Sequence, residues 1–104
     1  MFNLRVKEIG IKMINLVTYD LRKPGRDYSS LYEAIKANSL SWAHPVESVW
    51  LIDTTTNPGD VRDYLKKHID SNDVLFVIQL QQNWASSNLS TDIVDWLKKS
   101  SRNW

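Results

Sequence analysis

A chain of 104 residues with 42% apolar and 11% aromatic content supports one compact domain with one core and excludes an extended disordered segment. Its net charge of +1 excludes the strong basic excess usual in dedicated nucleic-acid binders, although a local patch can sit on a neutral whole. With no cysteine, disulfides and thiolate metal sites are excluded as well.

Residues 1–12, "MFNLRVKEIGIK", carry Asn3, Arg5, Lys7, Glu8 and Lys12 where a signal peptide would be uninterruptedly apolar. No apolar run approaches the length of a membrane span, so a cytoplasmic protein without a membrane anchor is expected. This stretch reads either as an added β-arm or helix, or as an upstream extension with Met13 as the functional start; the second is the expectation. From Met13, Ile14, Leu16 and Thr18 alternate with Asn15, Val17 and Tyr19. That near-continuous apolar run predicts a strand buried on both faces and ending at Asp20. "KPG" breaks it. A helix follows from about Tyr28 to Asn38, with Ser30 and Glu33 spaced as a capping box and Tyr28, Leu31, Tyr32 and Ile35 on one face.

"SLSWAHPVESVWLIDT" is strand-like, with Val46, Ser48, Trp50 and Ile52 on one face and Glu47, Val49 and Leu51 on the other. Pro45 cannot donate to a ladder, so it marks an edge, a bulge or a break between two short strands. Asn57 before Pro58 reads as an N-cap with proline at the first helical position, opening a helix whose apolar stripe is Val61, Tyr64, Leu65, His68 and Ile69. "DSND" punctuates, and "VLFVIQL" is a strong strand over residues 74–80. In "STDIVDWLKKS", Ser90 or Thr91 caps a last helix whose Asp92 and Lys98–Lys99 match the helix dipole. The order β-α-β(β)-α-β-α predicts an α+β, ferredoxin-like sandwich with an additional C-terminal helix, one domain over residues 13–100.

Several of these stretches together resemble a known group. "VTYDL", the helix after it, "VESVW" and "IDSNDVLFVIQL" are similar to the small CRISPR-associated spacer-acquisition proteins and their VapD-type toxin relatives. The Tyr-Asp-Leu, Lys-Pro-Gly and Ser-aromatic elements also resemble short bacterial and phage proteins labelled as SinR-family. The similarity spans residues 13–80. It implies a ferredoxin-like homodimer in phage defence, with Asp20 near the dimer axis facing its symmetry mate and helping to hold Mg²⁺. Some such proteins are metal-dependent nucleases, others non-catalytic scaffolds for DNA. The sequence departs from the group in three places: the first helix carries only Lys36 as a base, the turn is Pro-Gly, and the tail reads as a helix where members often exchange a strand.

The candidate site follows from these residues. Asp20 is the candidate catalytic and metal-binding carboxylate, because Mg²⁺ takes hard oxygen ligands and keeps several waters; the alternative is a turn role against the "LRKPG" backbone. Arg22, Lys23 and Arg26 are candidate phosphate contacts, with Tyr19 and Tyr28 as candidate stacking partners for bases. The alternative is a solvated turn whose arginines pair with Asp20 and Asp27. His44 and His68 lack zinc-ligand spacing, Ser48 shows no local His-Asp partner, and "KPGRD" is not a phosphate loop. Lys66, Lys67, Lys98, Lys99 and Arg102 read as solvated helix faces. Five tryptophans exceed what a core this size needs, and Trp42, Trp84 and Trp104 are candidates for a protein interface. Two classes of function remain: a nucleic-acid-binding homodimer with weak Mg²⁺-dependent nuclease activity, and a non-catalytic protein-interaction module such as a regulator or a phage-borne inhibitor of a defence complex.

Overall fold

The computed structural model describes residues 10–99; most of the expected 1–12 extension, and Trp104, lie outside the described residues. Four strands, β1 (Met13–Asp20), β2 (Ser41–Val46), β3 (Val49–Thr54) and β4 (Val74–Leu80), form one antiparallel sheet in the order β2-β3-β1-β4. Helix α1 (Ser29–Ala37) joins β1 to β2, and α2 (Pro58–Leu65), continued by a 3₁₀ turn to His68, joins β3 to β4. This is the ferredoxin-like arrangement, with α3 (Thr91–Lys98) added after it. Among the described residues no helix is long and apolar enough to cross a membrane.

Pro45 lies inside β2, and the break comes just after it. The proline falls where the β2–β3 register shifts between Ala43 and Val46, and Glu47 and Ser48 then turn the chain back as a hairpin. The stretch is two short strands, one of the expected alternatives, and the facing changes at the turn. Trp50 and Ile52 point at the α1–α2 layer, while Val49 and Leu51 point away from it.

Strand alternation divides the core. Val17, Trp50 and Ile52 meet Tyr28, Leu31, Ala34 and Ile35 of the α1 region and Val61 and Leu65 of α2. Full burial of a side chain such as Leu31, Ile35, Ile52 or Leu65 contributes roughly 1.5–3 kcal/mol. On the opposite face, Ile14, Ala43 and Leu51 meet Leu97, with Ile93 and Trp96 packed beside them. The C-terminal helix is thus a partial third layer, lying against β2 and reaching Ile14 and Leu80. It leaves Val74, Phe76 and Ile78 uncovered, at 44%, 54% and 43% exposure.

Two helix starts follow the local chemistry and one does not. Asn57 Oδ1 accepts from the Asp60 N–H at 2.9 Å with Pro58 at the first helical position, and Ser90 Oγ accepts from the Ile93 N–H at 3.4 Å. The capping box of Ser30 and Glu33 does not form. Helix α1 begins two residues earlier, with Tyr28 in the capping position, the Asp27 carboxylate takes the Ser29 N–H at 2.9 Å, and Glu33 pairs with Lys36 at 3.6 Å.

Candidate functional site

Asp20 ends β1 with its side chain 63% exposed, and the Arg22 Nε donates to it at 3.0 Å. The chain then turns at Pro24-Gly25. Gly25 takes φ +78° and Arg26 N–H donates to the Lys23 carbonyl at 3.3 Å, as a Pro-Gly turn requires. This turn carries the other two cations to Asp70, the residue that opens the α2–β4 connection: Lys23 Nζ lies 3.7 Å and Arg26 Nη1 3.6 Å from Asp70 Oδ1. Arg26 also donates to the His68 carbonyl at 3.3 Å. All three loop cations therefore stand against carboxylates. Asp70, not Asp27, supplies the second one.

The residue that organises the loop is Asp73, which sequence reasoning passed over as punctuation. Its carboxylate accepts from the Arg22 N–H at 2.6 Å, the Asp70 N–H at 2.7 Å and the Tyr28 hydroxyl at 2.7 Å. Burial alone would raise the Asp73 carboxyl, but these three hydrogen bonds and nearby Arg26 outweigh it and hold the group below its ordinary value. Tyr28 is raised, first by burial and then by its bond to that anion. No local signal marks Asp73, because its loop partners Tyr28 and Arg22 lie 45 and 51 residues away in sequence.

Neither candidate stacking tyrosine has a free hydroxyl. Tyr28 belongs to the core. Tyr19 donates to the Glu47 carbonyl at 2.9 Å and accepts from Trp50 Nε1 at 3.1 Å; burial raises its hydroxyl, opposed by the Trp50 bond. Trp50 is the centre of an aromatic group at the β2 edge. His44 stacks on it at 3.8 Å, Trp42 tilts against it at 5.2 Å, and Tyr32 stacks at 6.2 Å. His44 Nε2 donates to the Glu47 carbonyl at 2.9 Å, fixing the ring over the hairpin, and the Lys36 ammonium lies 5.0 Å from the Trp42 ring centre. Trp42 remains 42% exposed. Trp84 is half-buried over the α3 side of the sheet, lining a cavity of about 250 Å³ with Leu16, Leu51, Leu89 and Leu97.

Asp20 faces a guanidinium, and among the described residues no group of three or more His, Asp or Glu side chains converges on one point. The feature with no internal account is the stripe of Val74, Phe76 and Ile78 on β4, an outer strand of the sheet. The run "VLFVIQL" read as a strong strand; only the strand order reveals that its outer side is unpaired. The chain matches no protein-family model and no solved structure.

Proposed function

We propose that this chain is a non-catalytic protein-interaction module on a ferredoxin-like scaffold, working as a homodimer in the manner of a regulator or inhibitor of a larger complex. The observation that carries this reading is the exposed apolar stripe Val74, Phe76 and Ile78 on a strand with no charged residue, a pattern that marks an interaction surface. The loop supports it from the other side. Arg22, Lys23 and Arg26 are already matched to Asp20 and Asp70, and phosphate-backbone binding needs several cations acting together.

The competing reading, a nucleic-acid-binding homodimer with Mg²⁺-dependent nuclease activity, rests on the exposure of Asp20 beside that loop. The test is cleavage and gel-shift on labelled RNA and double-stranded DNA with Mg²⁺ or Mn²⁺, comparing the wild type with Asp20→Ala. No cleavage and no shift is the expected result. Cleavage that disappears in Asp20→Ala would replace the interaction module with a nuclease, and a shift without cleavage would make it a nucleic-acid scaffold.

A further inference from the structure

β4 runs Val-Leu-Phe-Val-Ile-Gln-Leu from residue 74 to 80 at the edge of the sheet, with β1 on one side and, among the described residues, no strand on the other. It contains no proline, no charge and, over these seven residues, no irregularity in its pairing with β1. Those are the devices by which edge strands are ordinarily kept from pairing.

We propose that β4 pairs antiparallel with β4 of a second copy of this chain about a two-fold axis through Val77, joining two four-stranded sheets into one of eight. The proposal rests on the interaction-module reading and names its partner. Antiparallel pairing about an axis perpendicular to the sheet keeps both open faces on one side, so the axis must pass through a residue. Only Val77 lets all seven residues pair. In that register Phe76 stands opposite Ile78 of the partner subunit and Val74 opposite Leu80 of the partner subunit, so the exposed stripe continues across the seam as aromatic and aliphatic cross-strand pairs. Val77 meets its own copy.

Charge is compatible too. A two-fold axis sets like beside like unless the sequence prevents it. Here the seven residues that pair carry no charge. No like charges therefore meet along the paired strands. A strand of seven residues is only about 24 Å long, so the seam is narrow beside the ~800 Å² per partner of a standard interface. The association is accordingly weak and reversible.

The arrangement also separates the two copies of Asp20. Asp20 is in register with Val74, and β1 lies three strand spacings from its mate, about 14 Å, with an offset of six residues, about 20 Å. The two carboxylates are then about 25 Å apart, too far to share one ion. Dimerisation is therefore independent of Mg²⁺.

Sedimentation equilibrium of the full chain from micromolar to millimolar concentration should show a monomer–dimer equilibrium that Mg²⁺ does not shift. Phe76→Lys with Ile78→Lys should raise the dissociation constant about 100-fold or more, since each change acts twice across the axis, while far-ultraviolet circular dichroism and melting stay as in the wild type. Because the chain lacks cysteine, a Phe76→Cys, Ile78→Cys double variant gives a direct geometric check. Directly opposed Cα atoms lie about 4.5–5.5 Å apart, within disulfide range, so the double variant should oxidise to a covalent dimer and either single variant should not. A chain monomeric at millimolar concentration, a dimer that survives both lysines, a dimer that requires Mg²⁺, or single-cysteine variants that cross-link as well as the double would each overturn the proposal. The cleavage assay on Asp20→Ala does not read this seam, so the pairing and the interaction-module reading fail separately.

Discussion

At one edge of the sheet, β2 is interrupted by Pro45 and a register shift, and its side chains Trp42 and His44 fold over Trp50. At the other edge, β4 is seven residues of regular strand without proline or charge, and three of its large side chains face solvent. The same sheet has one edge where pairing is stopped and one where nothing stops it. An edge that must not pair needs a missing donor, a bulge or a cover, and β2 has the first two. Their absence from β4 is what makes that strand the place to look for a partner.

Substitutions can test how each edge is built. The largest effect is expected from Trp50→Ala, which empties the centre of the β2 aromatic group and removes the ring on which His44 stacks. The loss should be about 3–5 kcal/mol in urea unfolding, as for other buried aromatic truncations. A loss below about 1 kcal/mol would mean that β2 is held by its ladder alone.

A smaller effect, largest near neutral pH and shrinking in acid, is expected from Asp73→Asn at the start of β4, because an amide can replace only one of the two accepting oxygens. Hydrogen bonds hold the Asp73 carboxyl below its ordinary value in the folded state. Between that depressed value and the unfolded-state value near ~3.9, the unfolded chain binds more protons, so stability falls as pH falls through this window. Asparagine keeps an acceptor oxygen but cannot titrate, so its stability should fall less steeply from about pH 5 downward. An unchanged acid slope in pH-dependent melting would remove Asp73 from this role.

The smallest effect belongs to Pro45→Ala. Relieving the proline constraint should cost only about 0.4–1 kcal/mol through the unfolded chain, and sedimentation should stay as in the wild type because the register shift remains. Species larger than a dimer would show that Pro45 alone closes the β2 edge.

These contrasts also show where sequence reading succeeds. The bounds of β4 are legible because "DSND" stops the chain before an unbroken apolar run, and the α2 and α3 starts because Asn57-Pro58 and Ser90 act on donors three residues away. The ferredoxin-like order follows once the chain is taken to turn shortly after Pro45. The Ser30–Glu33 pattern misleads because Tyr28, the residue before α1, is tied to Asp73, and the Asp27 carboxylate already serves the first helical N–H. The pairing of Lys23 and Arg26 with Asp70 was hidden because those partners are brought together only by the closing of the sheet. The exposure of Phe76 follows from α3 lying over β2 at the other side of the sheet, which an apolar run of seven cannot disclose.

The bonds from Arg22 and Tyr28 to Asp73 have a kinetic consequence. The β1–α1 loop contains its turn residues from the outset, yet its anchor arrives only when β4 docks beside β1, the contact of longest sequence separation within the loop's surroundings. Loop and outer strand should therefore order, and open, as one cooperative unit. In native-state hydrogen exchange the Arg22 amide, whose acceptor is the Asp73 carboxylate, should lose protection together with the amides of β4 and apart from those of α1. That one amide is a clock for the last strand.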